Sequence, residues 1–474
     1  MLRLWSFDIT LDTDNKDVPL YQQLEEKVRE LIATGTLKNG EAIPGSRELA
    51  KILNVSRKTV VTAMEHLVYG GWLENRERIG LFVADSRKLK HKDAALREKE
   101  NPLPAEQPEE TSPYLLQVND GFPDTQLVPF TQFTRSYRQI FNRSARWQTL
   151  GYSSPRGNVK FRECLTQMLR RSRNLTVHPE ELCVTRGSQQ ALYLTAHALL
   201  HPGETIVVGD TCYERAVEVF QNAGLKIVRV PVDEHGLVTD HLENLTDVSA
   251  IYVTPRYHYP TCVTMVPARR KQLAEWAIAR QVLVIEDDFA AVYQYQGRRL
   301  LPLSVMLPKS NYVYISTFSK ILAPAIRVGY VVSDNQLIGK IAHYRTLVDI
   351  QGDNITEHAL EELISNGEIR RHLLRATRTY AERLDYISKQ VTTLLPDSVK
   401  YTRPHGGLAI WLELPGTQWE KRLASRGIQA PIFKLPHGHE GIRIGFASMP
   451  PQSVDTLLRV IKEELMVMPS RTVI

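Results

Sequence analysis

Residues 86–113 form a run rich in Lys, Glu, Pro and Gln that carries too little apolar surface to enter a core, and it divides the chain into parts that must fold separately. Its roughly 28 residues reach at most about 90 Å when extended, so the short part before it is free to work away from the long part behind it. The basic segment Arg87-Lys-Leu-Lys-His-Lys92 reads first as a solvated tether, and alternatively as an arm that contacts phosphates. A chain of 474 residues with 43% hydrophobic content can fill more than one core, and two or three domains are expected.

The net charge of +6 suits an anionic partner but is modest over this length, so its placement matters more than its size. Four cysteines without a C-x-x-C pair suggest neither a disulfide framework nor a zinc site, which fits a reducing cytosol. No apolar run approaches the length that spans a bilayer, and a soluble, cytoplasmic protein is expected. His437-Gly-His439, with His405 upstream, lies in a Pro/Gly loop and is read as solvated; no metal is assigned.

Between Pro19 and Asp85 three helical patterns precede an extended pair. Leu20 to Ile32 places Leu24, Val28, Leu31 and Ile32 on one face. Ser46 to Leu53 starts on a residue suited to the N-cap and stops at Asn54, which tolerates a left-handed turn. Ser56 can cap the next helix, whose Val60, Ala63, Met64 and Leu67 recur at the spacing of a buried face. Lys58 and Thr62 then point outward, and Arg57 and Thr59 lie in the exposed first turn, where a recognition helix meets base edges and phosphates. Trp72 to Asn75 and Gly80 to Val83 flank Arg76-Glu-Arg78, a hairpin with cations at its tip. Helix-turn-helix geometry alone would also fit a protein-interaction module.

Pro19-Leu-Tyr-Gln-Gln-Leu, Ile43-Pro-Gly-Ser-Arg-Glu-Leu-Ala and Val55-Ser-Arg-Lys-Thr-Val resemble, in order and spacing, the GntR-type winged helix domain over about 65 residues. The resemblance implies that Arg47, Arg57 and Thr59 touch an operator and that Gly80 lets the wing approach the DNA backbone. The candidate DNA contacts are therefore Ser46, Arg47, Ser56, Arg57, Lys58, Thr59, Thr62, Arg76, Arg78 and Gly80. Gly45 stands where a serine is common.

Beyond Tyr114, helical patterns alternate with short apolar runs such as Thr205 to Val208, Ala250 to Val253 and Val282 to Ile285, which read as buried parallel strands. The expected class is α/β, a mainly parallel sheet with helices on both faces and a smaller α+β part from about Asp353 onward. Chemistry gathers after these strands. Lys320, behind the run Tyr312 to Ile315, can form an imine with the aldehyde of pyridoxal phosphate (PLP), while Thr317, Ser319 and Arg327 supply hydroxyls and a guanidinium for its phosphate. A carboxylate at the end of Ile285-Glu-Asp-Asp288 can keep the pyridine nitrogen protonated, and Asp287 is chosen. Gly187, Ser188 and Gln189 open a helix after a strand and can cradle a phosphate with their N–H groups, and Tyr213 can stack on the ring. Each signal is weak alone; four in order, each at a strand end, are strong.

Residues from about Asp120 to Met466 resemble fold-type I aminotransferases, and the two halves together resemble the MocR subfamily of GntR regulators. Tyr152-x-x-Pro-x-Gly157, Pro231 to Leu237, Gly367 to His372 and Gly441 to Phe446 are further matches. The resemblance implies that Lys320 is the Schiff-base lysine, Asp287 the pyridine partner and Tyr213 the stacking ring. It also implies that Arg443 holds an effector carboxylate and Arg215 a second one. The chain departs from the subfamily at Arg256-Tyr257-His258 and at Phe289, where a tyrosine is usual; Arg256 is either a new cation facing the pocket or a solvated loop residue, the second being slightly preferred, and the phenol at 289 is lost. The expected function is a PLP-dependent regulator that binds double-stranded DNA as a homodimer and responds to an amino compound. A working aminotransferase with an accessory DNA-binding domain, and a PLP-independent protein that keeps the fold as a dimerisation scaffold, are the alternatives.

Overall fold

The computed structural model describes residues 9–13, 18–76, 79–84, 114–142, 150–290, 292–297, 300–436 and 438–467. Arg78, the run 86–113 and His437 therefore lie outside the described residues. The chain divides into two compact units, Met1–Thr111 and Ser112–Ile474, and among the described residues no helix is long and apolar enough to cross a membrane.

In the first unit, helices α1 (Leu20–Ala33), α2 (Ser46–Ile52) and α3 (Arg57–Tyr69) precede an antiparallel pair, β1 (Leu73–Arg76) and β2 (Gly80–Val83). The apolar spacing read from the sequence is the buried set: Leu24, Val28 and Ile32 of α1 meet Val60, Ala63, Met64 and Leu67 of α3 in one core. Asn54 adopts the left-handed conformation between α2 and α3. Ser56 caps α3, its hydroxyl accepting from the Thr59 backbone N–H at 3.1 Å. Ser46, expected to cap α2, does not. Gly45 is the N-cap, its carbonyl taking the N–H groups of Glu48 and Leu49, so the helix starts one residue earlier in register and Ser46 is its first helical residue. Ser56→Ala removes a cap that is made, and is expected to lower the stability of this unit by about 1 kcal/mol, read by thermal unfolding.

The second unit is built on a seven-stranded sheet. Its strands run in the order Leu182–Thr185, Gly329–Val332, Tyr312–Thr317, Leu283–Asp287, Val248–Val253, Thr205–Gly209 and Lys226–Val230. Only Gly329–Val332 pairs antiparallel with its neighbours. Alternation divides the apolar residues between two faces: Ile206 and Val208 enter one core with Ala250, Ile285, Val313 and Ile315, while Val207 enters the other with Ile251, Val284 and Tyr314. A second sheet, of Lys400–Tyr401, Ala409–Leu414, Glu440–Gly445 and Ile432–Lys434, packs with helices Glu368–Leu394 and Pro451–Val467 around a separate core. The segment just before the large sheet packs on this second core, because Leu116–Gln117 pairs with Ile428–Gln429 in a separate two-stranded sheet. That return is local to neither part in sequence. It brings residues 117–122 to the edge of the site.

Candidate cofactor and DNA sites

Six strands of the large sheet end on one side, and the loops that leave five of them line a cavity of about 960 Å³. Lys320, Asp287, Tyr213, Ser188, Gln189, Thr317, Ser319, Arg327 and Arg215 all line it.

The strand period of two sorts three consecutive carboxylates. Asp287 faces the cavity, while Glu286 and Asp288 turn to the other face. Glu286 accepts from the N–H groups of Leu303 and Ser304, each at 2.8 Å. Asp288 accepts from the Tyr314 hydroxyl at 2.6 Å and lies 3.5 Å from Arg173 and 3.4 Å from Arg256. Arg256 is thus not a solvated loop residue. It is buried against Asp288, which offers the compensating charge that solvent would otherwise supply.

Asp287 Oδ2 accepts from the Tyr252 hydroxyl at 3.2 Å, and its Oδ1 is buried without a hydrogen-bond partner. Burial, together with the neighbouring Asp288 and Glu286 carboxylates, pushes Asp287 up to about 7, with Tyr252 and Lys320 pulling the other way. Its folded value lies above the unfolded one, so its proton stabilises the native state below about pH 4, and that contribution is lost as pH rises through 7. In PLP-free protein, Asp287→Asn is expected to remove a pH-dependent loss of up to about 4 kcal/mol between pH 4 and 8, at 1.4 kcal/mol per pKa unit. Urea unfolding at the two pH values checks this.

At the far end, Gly187 begins the helix Gly187–Leu199 with φ of +80°, and a Cβ there would stand 3.2 Å from the Arg327 guanidinium. Glycine therefore lets the helix start, with its free N–H groups, come up against a cation, an arrangement that suits a phosphate. Arg327 donates to the Arg186 carbonyl at 2.9 Å. Ser319 Oγ and Gln189 Oε1 are buried without hydrogen-bond partners, whereas Thr317 Oγ1 is engaged locally, accepting from the Ser319 N–H at 3.1 Å. Orphaned polar atoms at both ends of one cavity, Asp287 Oδ1 and Ser319 Oγ, are what an acidic ring nitrogen at one end and a phosphate at the other would satisfy.

Lys320 Nζ donates to the Gly121 carbonyl at 3.0 Å, lies 3.8 Å from Asp120 Oδ1 and sits 4.9 Å over the Phe122 ring. Burial lowers its pKa, partly offset by Asp120. Arg443 is not among the lining residues. Its guanidinium donates to the carbonyls of Asp120 (2.7 Å) and Pro260 (2.6 Å), and the Tyr259 ring lies 4.9 Å from it. Arg215 is exposed at the cavity rim.

Sequence reasoning passed over Asp120, Phe122, Tyr252 and Tyr259, all of which line the cavity. Tyr252 had a usable signal, a phenol inside a buried strand that needs a partner. Phe289 lines the cavity too, its ring 6.2 Å from that of Tyr259.

In the first unit, Arg47, Arg57 and Lys58 are exposed and Thr59 and Thr62 half-exposed. Arg57 Nε donates to Ser46 Oγ at 3.3 Å, linking α2 to the start of α3. Arg76 is less free: its Nε donates to Glu74 at 2.8 Å and its guanidinium lies 4.4 Å over the Phe82 ring. Gly80 opens β2.

Residues 20–83 match the family of bacterial regulatory proteins called gntR, and residues 116–461 match aminotransferase class I and II. The pyridoxine biosynthesis transcriptional regulator PdxR of Corynebacterium glutamicum is 31% identical over 93% of this chain and 94% of its own length. The chain belongs to the MocR subfamily of GntR-type regulators. The probable rhizopine catabolism regulatory protein MocR of Rhizobium meliloti is 29% identical, covering 79% of this chain and 77% of that one. A kynurenine aminotransferase from Pyrococcus horikoshii shares the fold of the larger unit, with a TM-score of 0.72 at 24% identity over 79% of this chain and 99% of that one. As in the aminotransferase family to which this MocR-type chain's larger unit belongs, the cofactor is PLP.

Proposed function

We propose that this MocR-type chain is a transcription regulator whose PLP-bearing unit senses an amino compound and changes how the winged helix holds its operator. One observation carries the reading: a lysine, a buried carboxylate and an arginine beside a helix start converge on one cavity, in a chain that also carries a capped recognition helix with exposed cations. The names of two relatives, regulators of pyridoxine biosynthesis and rhizopine catabolism, support it.

Bound PLP supplies an aldehyde that bonds to amines and a pyridinium ring that draws electrons. Lys320 is the amine that holds it, and Asp287 keeps a proton on the ring nitrogen. Arg327, with Gly187, Ser188, Gln189, Thr317 and Ser319, binds the phosphate, and Tyr213 covers the ring. Arg215 and Arg443 are assigned to effector carboxylates; Arg443 takes up that role once its backbone carbonyl partners and the Tyr259 ring give way. On the DNA side, Arg57 and Thr59 read bases, while Ser46, Arg47, Ser56, Lys58, Thr62, Arg76, Arg78 and Gly80 position the backbone.

The reading includes a winged helix over 1–85, a tether over 86–113 and a PLP unit over 114–474. It also includes a cytoplasmic homodimer: Tyr152, Leu347, Val348 and Ile350 are large apolar side chains left exposed on the second unit. Two winged helices on long tethers then reach two half-sites together, which raises their effective concentration.

The test selects binding sites from random DNA with the full-length protein. Arg57→Ala is expected to lose about 1–3 kcal/mol of discrimination between selected and random DNA. PLP-loaded protein titrated with amino compounds should change its affinity for the selected site. Unchanged DNA affinity combined with robust turnover of an amino donor with a keto acid would instead favour an aminotransferase with an accessory DNA-binding domain. That second reading is supported by the 26% identity to an aromatic-amino-acid aminotransferase of Thermococcus litoralis.

A further inference from the structure

Lys320 Nζ rests on three consecutive residues. The Asp120 carboxylate lies 3.8 Å from it, the Gly121 carbonyl accepts from it at 3.0 Å, and the Phe122 ring faces it at 4.9 Å. A carboxylate, a carbonyl and an aromatic face are three kinds of surface that stabilise a desolvated ammonium, so this seat suits the lysine as a free, protonated amine.

The seat is held in shape from outside. Asn119 Oδ1 accepts from the N–H groups of Gly121 (2.9 Å) and Phe122 (2.7 Å), and its amide donates to Ser448 at 3.1 Å. Gly121 has φ of +114°, a conformation that L side chains rarely adopt, which lets its carbonyl meet Nζ. The Tyr259 hydroxyl fixes Asp120 by donating to Oδ2 at 3.1 Å. Oδ1 is buried without a hydrogen bond, and the Lys320 ammonium is the nearby charge that compensates it.

The proposed cofactor role of Lys320, on which this inference rests, gives the seat two states. While Nζ is bonded to the cofactor carbon it keeps at most one N–H and cannot serve the carboxylate and the carbonyl as an ammonium does. The Asp120 carboxylate is then poorly compensated. An effector amine reverses this by exchange. Its nitrogen bonds to the cofactor carbon, the bond from that carbon to Nζ breaks, and the two protons that the incoming ammonium gives up are those that Nζ takes. Nothing is oxidised or reduced, and the free ammonium of Lys320 returns to the seat. We infer that Asp120 is a positioning residue for this exchange: its carboxylate receives the displaced Lys320 ammonium and so draws the lysine off the cofactor. The contribution acts on the departing lysine and is made for any amine. Choice among amino compounds is left to groups that touch the effector, Arg215 and Arg443 among them.

The experiment uses the full-length, PLP-loaded protein with methylamine, an amine too small to reach beyond the reacting carbon. After borohydride reduction, mass spectrometry compares cofactor fixed on Lys320 with pyridoxyl methylamine retained by the folded protein. Asp120→Asn keeps an acceptor for the Tyr259 hydroxyl but not the charge, and should raise the methylamine concentration at half-exchange about tenfold or more, the worth of one charge-assisted hydrogen bond. Phe122→Leu should raise it by less. The control removes the lysine: in Lys320→Ala protein methylamine condenses with the held aldehyde and no ammonium is displaced. There, adding Asp120→Asn should leave half-saturation, read from the visible circular dichroism of protein-held cofactor, within about twofold. Unchanged half-exchange in Asp120→Asn, or an equal loss in the Lys320→Ala background, would overturn the role of Asp120. If Asp120→Asn retains no cofactor, Phe122→Leu decides, and an unchanged half-exchange there overturns it. Either result beside a normal wild-type adduct on Lys320 leaves the cofactor reading standing, whereas no adduct on Lys320 in wild type would overturn that reading as well.

Discussion

Lys320→Ala protein is expected to develop none of the visible absorption that PLP acquires on bonding to a protein amine, while Lys340→Ala should develop it in full. The contrast rests on environment. Lys340 is an exposed residue of the helix Asn335–Val348 and does not line the cavity. Lys320 is about one-fifth exposed, and burial lowers its pKa, so its neutral, nucleophilic form is more accessible near neutral pH. It stands in the cavity that also holds Asp287 and Arg327. Phosphate contacts remain in the variant, because Arg327 and the helix start at Gly187 are untouched. Some PLP should therefore still bind reversibly, with the spectrum of the free aldehyde and a much faster loss on dialysis. A visible band of wild-type size in Lys320→Ala would sink the assignment.

The parts of this molecule legible in the sequence are those written in short-range pattern. The buried face of α3 follows from a helical period, and the three carboxylates at 286–288 are divided by a strand period. Strand-end placement picked out Lys320, Asp287, Tyr213 and the helix start at Ser188 and Gln189 as neighbours, and all of them line one cavity. What the sequence did not reveal is made by long-range returns. Tyr259 meets Asp120 across 139 residues, and Arg443 meets the Asp120 carbonyl across 323. No periodicity links such pairs. Arg256 was misjudged for a related reason: its loop has the composition of a surface turn, and only the position of Asp288 in the folded sheet gives its charge a place to be buried. The cap of α2 failed at a smaller scale, since a one-residue shift in helix start exchanges Ser46 for Gly45.

The same buried carboxylate should have a large effect on the stability of the second unit. Asp288 is 2% exposed, and its flanking arginines, Arg173 and Arg256, are 7% and 5% exposed. Burial disfavours the charged form of Arg173, and the Asp288 carboxylate opposes this by favouring it. Removing the carboxylate with Asp288→Ala leaves two guanidinium groups in the interior without that counter-charge and the Tyr314 hydroxyl without its acceptor. Such a loss is expected to cost about 3–5 kcal/mol. Asp288→Asn keeps an acceptor for Tyr314 but not the charge, and should fall between alanine and wild type. Lys271→Ala breaks a solvent-exposed pair with Glu275 and should cause no measurable change. The effect should also reach the cofactor site. Asp288 and Asp287 are adjacent on one strand end, and the Asp288 N–H is bonded to the Ile315 carbonyl, so repacking around position 288 shifts the carboxylate beside it. The folded fraction of Asp288→Ala should therefore bind PLP more weakly than wild type, although position 288 does not line the cavity. Urea unfolding of the three variants followed by PLP titration measures both effects. An Asp288→Ala protein within about 1 kcal/mol of wild type would mean that this buried cluster behaves energetically like a surface pair.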